Sequence, residues 1–256
     1  MTKEKHFLTL DAQCKHLIIN KKIIINSQNQ ATDILLNNNY FNIISCSKIK
    51  FAKSINQNKN HIYNQTNFNE WTDFFDDDCK LSEHLMTCLI RMERKLNSRT
   101  AFYISELLES KNLPERDSRR LIRKIQGHSN YSNYDGKRTW EHITKKTFNE
   151  LRNILKWLWN NNQRKVIRKI INDFKFLHSN FLERLDELVN LRNSIFHFKP
   201  LSIYLVHGNS GSDFSQYNVR KKVVEIVFYQ NNCDSTKTVM VDIFRATKNF
   251  IGIKSA

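Results

Sequence analysis

The sequence predicts a mainly α-helical protein, on two features of composition and one of pattern. Five glycines and two prolines in 256 residues leave few obligatory breaks, which favours long helices. A hydrophobic content of 40% is enough to bury a core as one large or two small domains. Over most of the chain, apolar residues return at three- and four-residue steps, the spacing of one helix face.

The elements follow in order. Between residues 7 and 52, Leu17-Ile18-Ile19 closes one apolar stretch and Ser27 caps the next. Ala31, Ile34, Leu35, Tyr40 and Phe41 give a further stripe. The run Ile23-Ile24-Ile25 reads equally as helix or as a short extended segment, and the polar, asparagine-rich residues 53–69 read as a loop. From Trp71 to about Lys111 the pattern is that of one or two long helices. Leu81, Leu85, Cys88, Leu89, Met92, Leu96, Tyr103, Ile104, Leu107 and Leu108 lie on the buried side. Asp76-Asp77-Asp78 is the expected cap of the main helix, with carboxylates at the positive end of its dipole.

Pro114 opens a connector that leads into the basic stretch Arg116, Arg119, Arg120, Arg123 and Lys124. Residues 127–138, with Tyr131, Tyr134 and Gly136, read as a loop by their turn residues. Helical periodicity resumes from Trp140 to Trp159. Residues Gln163 to Phe176 carry Arg164/Arg168 and Lys165/Lys169 at i,i+4 spacing, which repels mildly unless an anion lies across it. Phe181 to Phe198 is a helix by the recurrence of Leu182, Leu185, Leu188, Val189, Leu191, Ile195 and Phe196, ending ahead of Pro200. Beyond it, 223–229 and 238–244 are rich in β-branched residues and flank Asn231-Asn232-Cys233-Asp234-Ser235. A small C-terminal β-hairpin is therefore expected, with a pair of short helices as the competing reading. The organisation expected is an N-terminal helical region at 1–70, a helical core at 71–205 and a C-terminal extension at 206–256.

A formal charge of +16 points to nucleic acid or an anionic membrane as partner. No run approaches 18 apolar residues and no lipidation signal is present, so membrane association is the weaker choice. The N-terminus lacks the apolar core and cleavage site of a signal peptide, so the expected location is the cytoplasm and the cysteines are expected as thiols. Cys14, Cys46, Cys79, Cys88 and Cys233 are scattered without a Cys-x-x-Cys pair. His128, His142 and His178 have no partner at metal-ligand spacing, so neither metal nor other cofactor is expected.

The segment Leu191-Arg192-Asn193-Ser194-Ile195-Phe196-His197 carries the chemistry. At about 100° per residue, Asn193 and His197 stack one above the other and Arg192 occupies the neighbouring stripe. Metal-free RNA scission needs a base for the 2′-hydroxyl proton, an acid for the leaving 5′-oxygen, and a cation or hydrogen-bond donor on the phosphorane. Histidine titrates near neutrality and arginine donates bidentately to phosphate. Asn193 either orients the histidine or donates to phosphate. The bland reading makes Arg192 a cap on helix carbonyls and His197 a core histidine, and on spacing alone it is the commoner outcome.

Arg-Asn-x-x-x-His at a helix end resembles the signature of HEPN-domain ribonucleases, and the chain is similar over most of its length to AbiD/AbiF-type abortive-infection proteins. The similarity runs through Leu10-Asp11-Ala12-Gln13, the 17–25 segment, Ala31 to Leu36 and Asn39 to Ile44. It continues through Asp78, Leu81, Leu85 and Glu93-Arg94-Lys95-Leu96, then Trp140 with Thr147-Phe148-Asn149-Glu150-Leu151, and ends at Arg192 to His197. Ser82, Asn149 and Phe198 depart from it, Phe198 standing where a second histidine is common; residues beyond about 205 lie outside it.

The resemblance implies a HEPN-like helical bundle with additional N-terminal helices. It also implies a homodimer that brings two Arg/His sets into one composite cleft, which would supply the second proton-transfer group a single His197 lacks. Relatives of this kind act as phage-defence toxins, some beside small structured RNAs. Glu93 is then a supporting residue that aims Arg192, the alternative being a surface contact with Asn97. Arg116, Arg119, Arg120, Arg123 and Lys124, with Arg164, Lys165, Arg168 and Lys169, are the candidate RNA track; the alternative is two solvated helix faces. Tyr131, Tyr134, Trp140 and Trp157 would stack bases if exposed, core packing being the alternative for the tryptophans.

The expected function is a metal-independent endoribonuclease of antiviral defence, of toxin–antitoxin type, leaving 2′,3′-cyclic phosphate and 5′-hydroxyl ends. The alternative is a catalytically silent module holding a cognate small structured RNA.

Overall fold

Capping chemistry sets where the first helices start and stop. The Thr9 hydroxyl accepts the Ala12 N–H at 3.3 Å and opens α1 (Leu10–Lys21), which ends at Lys22 in the left-handed region. Ser27 accepts the Gln30 N–H at 3.4 Å and opens α2 (Gln28–Asn38). Asn39, at φ 65°, both ends α2 and caps α3 (Tyr40–Phe51), its side chain accepting the Phe41 N–H at 2.9 Å. This computed structural model describes residues 8–55, 61–63, 65–126, 136–174, 177, 180–206, 214–229 and 236–255. Among them are twelve helices and four short strands, a mainly α fold.

Among the described residues, part of the 53–69 stretch expected as a loop is strand. β1 (Ile23–Ile24) pairs in parallel with β4 (Thr66–Asn67), and β2 (Ala52–Ile55) pairs antiparallel with β3 (His61–Tyr63). Two- to four-residue ladders are too short for apolar/polar alternation to announce them. The extended alternative for Ile23-Ile24 is the one observed.

A single 42-residue helix, α4 (Phe68–Glu109), replaces the one or two expected. Its start at Phe68 is eight residues ahead of the aspartate run that begins at Asp76. Asn67 accepts the Asn69 N–H at 3.0 Å, and Glu70 accepts the Asn67 N–H at 3.1 Å. Asp76, Asp77 and Asp78 therefore lie inside α4 and cap nothing at its start. Asp78 caps a different helix, α10 (Leu201–Val206), accepting the Leu201 and Ser202 N–H groups at 2.6 and 2.8 Å. Pro200, just ahead of α10, has no side-chain acceptor to offer those N–H groups.

Helix α5 (Glu115–Gln126) carries the arginine-rich stretch, and α6 (Gly136–Thr144) takes in the last positions expected as loop. Residues 127–135, which include His128, Tyr131 and Tyr134, lie outside the described residues, as does His178. The Trp140–Trp159 periodicity breaks at 145–147 before α7 (Phe148–Asn160), and α8 (Arg164–Ile170) is shorter than its sequence pattern. Helix α9 spans Phe181–Phe196.

The C-terminal β-hairpin is not formed. Residues 223–229 belong to α11 (Phe214–Tyr229), and 238–244 to α12 (Lys237–Ser255). The β-branched residues misled because strand propensity spans only about 1 kcal/mol and yields to packing. Met240, Ile243, Phe244, Thr247, Phe250 and Ile251 are all buried, at the spacing of one helix face.

The chain divides into two compact units, neither of them one contiguous stretch. The first comprises Met1–Leu85, Ser194–Val224 and Asn231–Ala256; the second, Met86–Asn193 and Glu225–Gln230. In the first, α12 packs on α3, α10 and β2. Its core includes Leu17, Ile43, Trp71, Leu81 and Phe250, with Trp71 stacked on Phe51 at 5.0 Å and edge-on to Tyr63 at 5.1 Å. In the second, α7 packs on α5 and α8 around Leu89, Ile104, Leu121, Leu151, Leu158 and Leu185. Among the described residues, no helix is long and apolar enough to cross a membrane.

Candidate functional site

Arg192 sits in the last third of α9, and the second unit holds that helix in place by charge. Asp186, six residues before Arg192, receives Lys156 at 2.7 Å and Arg152 at 3.5 Å, both from α7. Leu185, Leu188, Val189 and Leu191 are buried between these contacts. The outward-turned Arg192 then meets Glu93 of α4, Nε to Oε2 at 3.7 Å, while its Nη1 donates to Asn193 Oδ1 at 3.4 Å.

Glu93 also faces the start of α7. Its carboxylate accepts the backbone N–H of Phe148, the first residue of that helix. Burial raises its pKa above the usual carboxylate value, against the opposing pull of Arg192 and of that N–H. One turn further along α4, Asn97 donates to the Lys146 carbonyl at 3.5 Å. Residues from three distant segments, Glu93, Phe148 and Arg192, thus converge on one carboxylate. In chemical terms this is a guanidinium aimed by a partly buried counter-ion, on a side chain that remains 25% exposed.

The start of α7 also carries a cap of its own. Thr147 accepts the Glu150 N–H at 3.3 Å, and Glu150 returns to accept the Thr147 N–H at 2.9 Å. That reciprocal capping box was written in the sequence as Thr-x-x-Glu ahead of an apolar run. It fixes where α7 begins, and with it the position of Phe148 beside Glu93.

His197 follows the last helical residue of α9 and lies in the first unit, the boundary falling between Asn193 and Ser194. The helix closes in a Schellman turn: the Phe198 N–H donates to the Ile195 carbonyl and the Lys199 N–H to the Ser194 carbonyl, both at 2.9 Å. His197 is the C-cap residue of that turn. It is exposed, its ring edge-on to Phe196 at 5.5 Å, and so is not the buried core histidine of the bland reading. Phe198 takes the left-handed position at φ 54° where glycine is usual, with 86% of its surface exposed.

The basic residues of α5 are all exposed, and Arg116, Arg119, Arg120 and Arg123 line a shallow groove of about 320 Å³ in the second unit. Arg119 pairs with Glu115, and Arg120 approaches Asp117 at 4.0 Å. Arg116 and Lys124 complete the exposed row. On α8, Lys169 is engaged by Glu106 at 3.0 Å and lies over the Tyr103 ring, and Arg164 lies over Trp159 at 5.2 Å. Lys165 and Arg168 are exposed. Trp140 is 43% exposed and Trp157 half-buried, so neither is a core tryptophan.

Asp78 is the residue whose role the sequence concealed. It is fully buried, and burial pushes its pKa up to about 6 despite the two N–H groups it accepts. The Cys46 thiol and Ser202 hydroxyl meet beside it at 3.0 Å, and the Cys46 thiol is held well above its usual value by burial and by the Asp78 charge. No protein-family model, curated protein or solved structure matches the chain.

Proposed function

We propose that the chain is an RNA-binding, metal-independent endoribonuclease of HEPN type, acting as a homodimer in abortive-infection defence. The observation that supports this best is an arginine aimed by a counter-ion on a helix whose C-cap residue is an exposed histidine. The resemblance across the rest of the chain adds the dimer and the defence role.

In the reaction, the 2′-hydroxyl oxygen attacks the adjacent phosphorus and its proton passes to a neutral His197. The bond from phosphorus to the 5′-oxygen breaks, and that oxygen takes a proton from the protonated His197 of a second copy. The products are a 2′,3′-cyclic phosphate and a 5′-hydroxyl end. Arg192 offsets the charge that builds on the phosphorane oxygens, and its fixed fork suits two of them at once. Asn193, bonded to the guanidinium, holds its orientation. The exposed arginines of α5 contribute a sequence-independent hold on phosphate.

The test is end-group analysis of RNA incubated with wild type, His197→Ala and Arg192→Ala proteins, with and without EDTA. Each variant is expected to cleave about a hundredfold to ten-thousandfold more slowly, with EDTA having no effect on wild type. Wild-type rates in His197→Ala, or loss of cleavage in EDTA, would sink the mechanism. RNA binding by wild type without any cleavage would favour the silent RNA-holding module instead.

A further inference from the structure

The first unit contains a groove of about 1360 Å³ whose walls are the end of α3, the strands β2 and β3, and the last turns of α12. Lys50 comes from α3, Lys53 and Ser54 from β2, His61 from β3, and Lys248 and Asn249 from α12. All three lysines are exposed. Among the described residues, no aspartate or glutamate lines the groove. Indeed α3, β2 and β3 contain none, and the single acid of α12, Asp242, is taken by Arg245 at 3.2 Å. Among the described residues, no carboxylate lies within ion-pair distance of Lys50, Lys53 or Lys248.

Three like charges from three elements repel one another; Lys50 lies over the Phe51 and Phe74 rings at 5.5 and 5.2 Å, but among the described residues no negative charge offsets the three. An anion in the groove would. Below them the wall is firm: His61 stacks on the buried Phe250 at 5.4 Å, and Lys48 lies over the same ring. The volume exceeds the roughly 300–1,000 Å³ usual for small-molecule pockets, which favours a stretch of polymer over a mononucleotide. The cations are lysines throughout, point charges that neutralise phosphate without the bidentate geometry by which arginine selects a partner. Ser54 and Asn249 add short polar groups suited to sugar hydroxyls and phosphate oxygens.

We propose that this groove binds the phosphodiester backbone of single-stranded RNA, independently of its sequence. The inference rests on reading the chain as an RNA-handling protein, but not on the cleavage chemistry assigned to Arg192 and His197. It gives the first unit an RNA-holding function separate from the arginine row of α5.

The experiment uses the full chain and a short fluorescent 2′-O-methyl oligoribonucleotide of mixed sequence, which cannot be cut by 2′-hydroxyl attack. Anisotropy titrations across a range of KCl compare wild type with the triple variants Lys50→Gln/Lys53→Gln/Lys248→Gln and Lys50→Arg/Lys53→Arg/Lys248→Arg. The glutamine variant is expected to bind at least about tenfold more weakly, with the log–log salt slope shallower by about 2, and the arginine variant to bind as wild type does. Thermal melts check that both remain folded, which these exposed positions should allow. If the glutamine variant binds with wild-type affinity and slope, the groove is not the site, while the ribonuclease reading stands. If wild type fails to bind at low salt, both readings fall. If wild type binds phosphatidylserine vesicles through these lysines but not the oligoribonucleotide, the partner is a membrane and the proposal is overturned. Loss of cleavage in His197→Ala with groove-dependent binding intact would support both.

Discussion

Asp78 and Glu93 are carboxylates of one helix set to the same task in different units, and their difference separates a structural clamp from an orienting group. Each accepts N–H groups at the start of another helix, where the macrodipole favours negative charge. Asp78 is wholly buried and serves the first two N–H groups of α10, which follows a proline and has no side-chain cap of its own. Glu93 serves one N–H of α7, a helix already closed by the Thr147/Glu150 box, and its side chain remains 15% exposed beside Arg192. A carboxylate that is the sole cap of a helix is committed to the fold. One that adds to a helix start already closed by its own capping box can hold a cation in place with little consequence for stability.

The largest effect expected of this contrast is that of Asp78→Ala. It leaves two buried N–H groups without an acceptor, at about 1–3 kcal/mol each, so urea unfolding should show a loss of about 2–6 kcal/mol. A loss below about 1 kcal/mol would mean that α10 finds another partner and that Asp78 is not its clamp.

Next in size is the pH dependence. Asp78 has its folded pKa raised from 3.8 to about 6, so the neutral form is the one folding favours. Its contribution is fully present below about pH 3.8 and is lost as pH rises through about 6, amounting to about 3 kcal/mol by neutrality. Glu93 is raised as well and acts with the same sign. The difference between wild-type and Asp78→Asn urea midpoints across roughly pH 4 to 7 isolates the Asp78 share, because the asparagine does not titrate. Parallel profiles for the two proteins would show that Asp78 is not the titrating group.

How much of this was legible from the chain alone depends on sequence distance. Helices α4 and α9 announced themselves because their apolar faces repeat locally, and the same local logic placed Ser27 as a cap. Asp78 did not, because its partners lie 123 and 124 residues away and no pattern of neighbours encodes them. The aspartate run nevertheless read correctly as a cap in kind, with the wrong helix assigned. The α11–α12 segment was misread as a hairpin because β-branched residues were weighed above the helical spacing of Met240, Ile243, Phe244 and Phe250. Of the candidate site, Arg192 and His197 were visible as a motif, whereas Glu93 was singled out only through resemblance. The Lys50, Lys53 and Lys248 groove left a fainter trace, the lack of acids in α3, β2 and β3, and folding alone brings its walls together.

The smallest expected effect tests Glu93 most sharply. Glu93→Gln keeps a carbonyl oxygen for the Phe148 N–H and removes the charge facing Arg192. The pair it breaks is 3.7 Å long and partly exposed, so the stability lost should stay below about 1 kcal/mol, comparable to or smaller than the roughly 1 kcal/mol expected of Thr147→Ala at the adjoining cap. Cleavage should respond differently. With the charge facing it gone, Arg192 is aimed less firmly, so kcat should fall by about tenfold or more while RNA affinity holds. Urea melts and single-turnover kinetics on the same preparation read both quantities. A stability loss on the scale of Asp78→Ala, with kcat unchanged, would make Glu93 a second structural clamp rather than the group that orients Arg192. The opposite pattern, full stability and slow cleavage, would tie the two carboxylates of α4 to different duties: one to the fold, the other to the reaction.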